Sequence, residues 1–545
     1  MYRAILGRRE IGVSSVSTVK EQVTASELAE FLDSRQQRRR LLPIAIGVGV
    51  LSGSVTLLFR GLLGLGDSSR TKLIEWSQQA PMVGWLLPVV WAITGATLAV
   101  WLTRRYAPEA SGSGIPHIEA VLYRLRDLRW RRIIPVKIIG GMLAIGGGLA
   151  LGREGPSVQI GGALGGGMAE LLRSGPRERL TLIAAGSGAG LAAAFNAPLA
   201  GLVFVLEELQ RDFRPSVFGA AFVAAVVANV ITRLFTGQLP VFAIPDYPIQ
   251  PLSTLPVFIV LGVVCGLAGV VFNKVLLAML EGVARLRPRQ KLAYTMLTGV
   301  CVGLVGWWYP NLIGGGHHFT EDVLRGRIDL TLLPILLAVR FALTMLSYAT
   351  GAPGGIFAPL LILGALIGYG VGETAHSIAP FLAPQTEVFG VVGMAALFTG
   401  IVRAPLTGII LIAEMTGNYN QLLPLLLACF FAYAVAEVLR DRPIYEALLR
   451  RDLRHTPSAH MLAEPVVVEL TVAPEAPFVG RTIRELGLPP GCIIVRCRDG
   501  NREWIATAYT RIEPHMQLTV LVSPSAAHGL AMLQAGCAAP DRATH

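Results

Sequence analysis

The chain has 545 residues, of which 53% are hydrophobic and 15% charged, with a formal net charge of +11 and a mean hydropathy of +0.56. No single soluble core absorbs that much apolar surface, so the composition excludes an ordinary globular protein and points to a polytopic membrane protein. The basic residues cluster in short loops beside apolar segments, as expected from the bias of Lys and Arg toward the cytoplasmic side, which argues against nucleic acid as a partner.

Residues 1–40 read as a cytosolic N-terminal tail (1–21) followed by an amphipathic helix over 24–40, where Thr24 and Glu27 have capping-box spacing that supports a start. Residues 1–30 lack an apolar h-region and a small-residue cleavage site, so no signal peptide is expected. Arg35, Arg38, Arg39 and Arg40 precede the first span, 41–65, and place the N-terminus in the cytosol. The run reads equally as solvated charge or as a lipid-headgroup anchor. A second span covers 82–102 and ends in Arg104-Arg105.

Ser111-Gly112-Ser113-Gly114-Ile115-Pro116 is a turn-forming run leading into a short helix. Two glycines around Ser113 expose its hydroxyl and adjacent N–H groups, a neutral donor set suited to a halide; the other reading is an ordinary Gly/Ser loop with a proline helix start. Arg124, Arg126, Arg129, Arg131 and Arg132 follow, which puts that end in the cytosol. Lys137 is either a snorkelling side chain or a buried partner for a carboxylate such as Glu119.

Gly152-Arg153-Glu154-Gly155-Pro156 lies between glycine-studded apolar segments at 133–151 and 158–172. Both approach bilayer length, which puts Glu154 at membrane depth, where an ionisable group is costly and usually functional. Pro156 suits the first turn of a helix, and the glycines let N–H groups turn toward a small anion. A broken helix whose positive end faces mid-membrane is an anion-site design. The alternative is a Glu capping a helix in an extramembrane loop. Residues 180–210 are apolar but interrupted at Asn196-Ala197-Pro198, and end in Glu207-Glu208 beside Arg211 and Arg214. Adjacent helical positions point about 100° apart, so at most one of the pair faces the interior. Two solvated glutamates and a functional acid both remain open here.

The second half repeats the first. Ala197-Pro198-Leu199-Ala200-Gly201 leads to Glu207, and Ala404-Pro405-Leu406-Thr407-Gly408 leads to Glu414 at an offset of 207 positions. Gly152 to Pro156 likewise matches Gly355-Ile356-Phe357-Ala358-Pro359 at an offset of 203, with apolar residues replacing Arg153 and Glu154. Duplicated halves (41–240 and 250–450) with interrupted helices at matching places point to a secondary transporter whose site lies between the repeats, and an inverted repeat is inferred.

The runs Gly112-Ser113-Gly114-Ile115-Pro116, Gly152-Arg153-Glu154-Gly155-Pro156 and Gly355-Ile356-Phe357-Ala358-Pro359, in this order and with Tyr445, resemble the CLC family of chloride channels and proton-coupled chloride exchangers over roughly residues 40–450. The resemblance implies an all-α homodimer of about eighteen membrane helices per subunit, each subunit with its own anion pathway in an inverted repeat. By matching positions, the Ser113 and Tyr445 hydroxyls and the Ile356 and Phe357 backbone N–H groups hold a central chloride. Glu154 is similar to the external gating glutamate and Glu208 to the internal proton-transfer glutamate. Channels of the family generally lack that second acid, so Glu208 favours an exchanger moving more chlorides than protons per cycle; the alternative is a passive voltage- or pH-gated chloride channel of the same fold. Ser113 favours chloride, since fluoride-type and nitrate-type relatives differ there. His117 stands where many bacterial relatives have an acid, a departure that affects the local charge balance. The expected location is a bacterial inner membrane with both termini cytosolic.

After a linker at 451–465 the composition changes. Short β-type runs at 466–472, 493–497, 504–509 and 518–522, separated by Pro and Gly turns, indicate a small α+β soluble domain at 466–525, followed by a tail at 526–545. Gly480-Arg481-Thr482-Ile483-Arg484-Glu485-Leu486 with Pro490-Gly491 is similar to the TrkA-type C-terminal domain, which implies a regulatory unit able to take a small ligand. Cys492 and Cys497, five apart in a strand, are expected on opposite faces, and all six cysteines read as reduced. No nucleophile-and-base pair, metal-ligand cluster or phosphate loop is evident, so neither an enzyme nor a cofactor is expected. His317-His318 read as loop residues after three glycines.

Overall fold

The computed structural model describes residues 13–80, 82–211, 215–455, 466–500, 502–523 and 527–538. They form two compact units, one of residues up to Leu122 and Leu128–Arg451, the other of Tyr123–Asp127 with the residues from Asp452 onward. Arg214, residues 1–12 of the expected tail, 456–465 of the expected linker and the last seven residues lie outside the described set.

Seventeen α-helices among the described residues precede the soluble unit. Five are long and apolar enough to cross a membrane: Arg40–Ser77, Leu86–Tyr106, Val217–Thr236, Leu252–Ala284 and Phe357–Ile378. The first belongs to one helix, Val13–Ser77, with Pro43 inside it. Thr24 therefore does not start a helix. No glycine or proline interrupts residues 24–42, so the basic run extends the first span instead of ending before it. The last helix, Ile444–His455, likewise runs through the first residues of the expected linker.

Corresponding parts of the two halves pack alike. The Glu154–Leu171 helix lies on Pro176–Phe195, as Phe357–Ile378 lies on Glu387–Val402. A Cβ on Gly161 or Gly186 would enter the backbone of the facing helix, and so would one on Gly364 or Gly393. In lipid this close approach replaces the hydrophobic effect as the source of helix association. The second helix of each pair ends in a left-handed residue, Asn196 (φ 53°) or Arg403 (φ 69°). An Ala-Pro step then starts the helices Pro198–Phe204 and Pro405–Thr416.

Those two helix starts hold each other's carboxylates. A proline at the first position leaves the next two N–H groups without intrahelical partners, and an acid is favoured there. Glu207 accepts from the N–H groups of Leu406 (3.0 Å) and Thr407 (2.7 Å). Glu414 accepts from those of Leu199 (3.1 Å) and Ala200 (2.8 Å). Each bond turns into its counterpart on exchanging the halves, the signature of an internal two-fold relation. Glu207 is thus neither a solvated end charge nor inward-facing; it joins the repeats.

The soluble unit is a four-stranded antiparallel sheet of β1 (Val466–Thr471), β2 (Cys492–Asp499), β3 (Arg502–Ile505) and β4 (Gln517–Val522) in the order β1-β4-β2-β3. The expected third strand, 504–509, lies two residues earlier, because Ala506 onward turns away to the Thr507–Thr510 turn. A bulge between Ile494 and Arg496 shifts the alternation by one, so Cys492 and Cys497 both face the core, contrary to expectation. None of the six cysteines is in a disulfide. Helix Ala527–Cys537 places Leu533 and Cys537 in the same core, so this unit continues past residue 525.

Replacing Glu414 or Glu207 by Ala leaves two N–H groups unpartnered at a helix start. Each change should cost about 1–3 kcal/mol, read as a lowered unfolding temperature in detergent, with Gln at either position losing less. In the soluble unit, the backbone N–H and then the hydroxyl of Thr482 hold the Glu485 carboxyl below its usual 4.5. The stabilisation this gives should persist above that value and fade as pH falls through the depressed one. Protection of the Thr482 amide, its exchange rate set against the intrinsic rate at each pH, should fall on acidification in the native chain and stay constant in Glu485→Gln.

Candidate functional site

Three glycine-led loops meet between the halves. Gly152 and Gly355, which occupy matching repeat positions, form an antiparallel bridge with both N–H to carbonyl bonds at 2.7 Å. This sets the start of the Glu154–Leu171 helix beside that of Phe357–Ile378. Gly112 joins the same strip, accepting from Gly354 N–H (3.0 Å) and donating to the Ala352 carbonyl (3.2 Å). Gly112 (φ 60°) and Gly114 (φ 86°) are left-handed, which requires glycine on both sides of Ser113.

Lys137 clamps this loop. It is fully buried, and its Nζ donates to the carbonyls of Ala110 (2.9 Å) and Gly112 (2.7 Å). Neither sequence reading holds: the ammonium neither snorkels nor meets Glu119, because the backbone turn at Gly112 presents carbonyls to it first. The loop is thereby fixed one residue from Ser113.

The Ser113 hydroxyl is buried against Gly155, where a Cβ would collide with it, and has no hydrogen-bond partner among the described residues. The Tyr445 hydroxyl, on the second residue of the Ile444–His455 helix, is also buried and unpartnered. It lies within electrostatic reach of Tyr348, Glu208, Glu119 and Glu154. Ile356 and Phe357 form the start of their helix, which carries no side-chain cap. Their N–H groups belong to the unsatisfied first turn. Polar groups so buried call for a partner.

Glu154 opens its own helix and is fully buried. Its carboxylate turns toward Gly152 and faces the Ala358 N–H of the opposite half, without a well-formed hydrogen bond at either oxygen. Arg153 Nε stands 4.0 Å away. The acid of one repeat thus sits at the positive end of the other repeat's helix, fully buried between the halves.

Glu208 lies in a π-helical turn, Val205–Leu209, closed by the Gln210 N–H on the Val205 carbonyl. Such turns break the ordinary helical spacing and often mark functional sites. Glu207 goes to the other repeat while Glu208 points inward, 3% exposed, with Oε1 unpartnered. Around it are Glu119, Arg211 and Glu446; Arg211 reaches Glu446 at 3.7 Å, and Arg450 pairs with Glu446 at 2.7 Å. Glu119, 2% exposed, also keeps an unpartnered oxygen. His117 meets Gln159 at 3.3 Å through Nδ1. His317 and His318 begin a helix, His317–Leu324, instead of lying in a loop, because left-handed Gly316 caps it. Among the described residues no His/Cys/Asp/Glu group could hold a metal.

Sequence reasoning missed the Ala358 N–H, the Lys137 clamp, the Glu207/Glu414 exchange and the placing of Glu119 near Glu208. Only the exchange left a trace, the two acids recurring at the offset of the helix starts they cap.

Residues 95–437 match the family described as voltage gated chloride channel, and residues 467–534 the TrkA-C domain. A protein of Vibrio parahaemolyticus named H(+)/Cl(-) exchange transporter ClcA is 39% identical over 446 residues, covering 81% of this chain and 96% of its own. Its namesake from Vibrio campbellii is 40% identical over 422 residues, covering 76% and 90%. A solved structure, a slow cyanobacterial Cl−/H+ antiporter, superposes with a TM-score of 0.74 at 34% identity, covering 76% of this chain and 99% of that one.

Removing the Lys137 ammonium should strand two buried carbonyls. Lys137→Met is expected to lower stability by about 1–3 kcal/mol, measured by thermal unfolding in detergent. Lys137→Arg, which keeps the donors, should recover much of the loss.

Proposed function

Because the chain belongs to the CLC family of voltage-gated chloride channels and exchangers, we propose that it is a secondary active transporter that exchanges chloride for protons. The observation that carries this reading is the buried carboxylate of Glu154 at the N-terminal end of the opposite repeat's helix, with a second buried acid, Glu208, that like Glu154 lies within electrostatic reach of Tyr445. Relatives of this length and similarity are named exchangers, which favours exchange over a passive channel.

The proposed site residues act as follows. The Ser113 and Tyr445 hydroxyls and the N–H groups of Ile356 and Phe357 hold chloride as neutral donors, so the anion is bound without being neutralised and can leave. Glu154 competes with a second anion for the helix-end N–H groups around Ala358. When chloride is close, like-charge repulsion favours the protonated acid, which withdraws and opens the outer path. Anion entry and proton uptake are linked by that competition. Glu208 hands the proton to and from the cytosol. Chloride and protons moving in opposite directions carry charge in the same direction, so each step across the full potential changes by about 2.3 kcal/mol per 100 mV.

The same reading makes the protein a homodimer with one pathway per subunit, in a bacterial inner membrane with both termini cytosolic. The bias of Lys and Arg toward the cytoplasmic side, seen at residues 35–40 and 124–132, supports that orientation.

Simultaneous recording of chloride and pH in proteoliposomes tests the proposal. A chloride gradient should drive protons uphill in the native chain. Glu154→Gln should abolish proton movement, and Glu208→Gln should leave chloride flux but uncouple it. Normal proton pumping by either variant would sink the assignment of that residue.

A further inference from the structure

Beside the arginine-rich loop is a cavity of about 430 Å³ lined by Leu128, Arg129, Trp130, Arg131, Arg132 and Glu170. Trp130 opens the helix Trp130–Gly146, and Glu170 stands one residue from the end of Glu154–Leu171. The cavity therefore lies where two membrane helices reach the surface.

Its only carboxylate is already committed. Glu170 accepts from Trp130 Nε1 (2.9 Å) and pairs with Arg131 (3.4 Å), whose guanidinium stacks 4.9 Å from the indole centroid. Arg129 and Arg132 are exposed, and neither has an ion pair or a side-chain hydrogen bond among the described residues. Three guanidiniums against one carboxylate leave the cavity positive.

Past Arg132 the helix Trp130–Gly146 turns apolar: Ile139, 49% exposed, lies two turns on from Arg132 on the same face, roughly 10 Å along the axis at the ordinary helical rise. At the end of the other helix Leu171, 65% exposed, adds apolar surface next to Glu170. A ligand filling both parts must be anionic at one end and apolar at the other.

We propose that this cavity binds the phosphate headgroup of an anionic phospholipid. Arg129 and Arg132 meet the phosphodiester oxygens, Trp130 sets the depth at the headgroup level, and the acyl chains run along the face of the helix that carries Ile139. A free phosphate would satisfy the guanidiniums but leave the apolar wall unused. This site is apart from the ion pathway and does not depend on the exchange reading.

The test uses the full-length protein in neutral detergent, with phosphatidylglycerol and phosphatidylcholine offered separately and retained lipid counted by native mass spectrometry. The native chain should retain phosphatidylglycerol preferentially, and lose it at high salt. Removing both charges in Arg129→Gln/Arg132→Gln should weaken retention roughly fivefold per charge. Arg129→Lys/Arg132→Lys should stay near native, and Glu170→Gln should retain more. If the Gln pair fails to fold, the Lys pair and Glu170→Gln still decide the matter. Equal retention of both lipids by the native chain would overturn the proposal. So would undiminished retention by a folded Gln pair, or full displacement of the lipid by equimolar inorganic phosphate, which would mark a free-anion site.

Discussion

The two hydrogen bonds between Gly152 and Gly355 are the constraint on which the rest of the membrane unit depends. They hold two helix starts, one from each half, side by side in a region where lipid and packed side chains offer the backbone few other partners. A helix start in that setting presents unsatisfied N–H groups and a partial positive charge. Placing two of them together, with the Ser113 loop joined to the same strip, makes a region that favours an anion from any source. Glu154 is the source within the chain.

The second contact between the halves follows the same physics. Glu207 and Glu414 each satisfy the first turn of a helix in the other repeat. Here the carboxylates are bonded to two N–H groups apiece and joined to the structure. Glu154, by contrast, faces Ala358 with neither oxygen well bonded. A carboxylate that is fully bonded is a fastener. One seated at a helix start without good bonds is free to be exchanged for another anion, which is the property the proposed mechanism needs. The π turn at Val205–Leu209 separates the two uses within adjacent residues, sending Glu207 across the repeat boundary and Glu208 inward.

Buried cations complete the arrangement. Lys137 holds carbonyls of the Ser113 loop. Arg340, fully buried, holds those of Leu312 and Gly314. Arg70 bonds Asp67 and the Ile145 carbonyl. Each gives irregular backbone at membrane depth the partners that lipid cannot supply.

The sequence alone determined the membrane setting, the duplication and the three glycine-led motifs. These are properties of composition and spacing, and they survive any folding of the loops between them. Ser113 and Glu154 also stood out, because the turns and helix starts around them leave glycine and proline at fixed positions, whereas Glu208, Ile356, Phe357 and Tyr445 were marked by the family resemblance alone. Only the tertiary structure decided where Lys137 points, since a buried ammonium takes whichever acceptors the fold brings within reach. It alone showed that Glu207 caps a helix some two hundred residues away, and that a bulge turns Cys492 and Cys497 to one face. The physical reason is common to all three. Spacing along a chain specifies which face of an element a residue occupies, whereas the partner on that face is supplied by a distant segment or by a local break in the period, and neither is written in the residue itself.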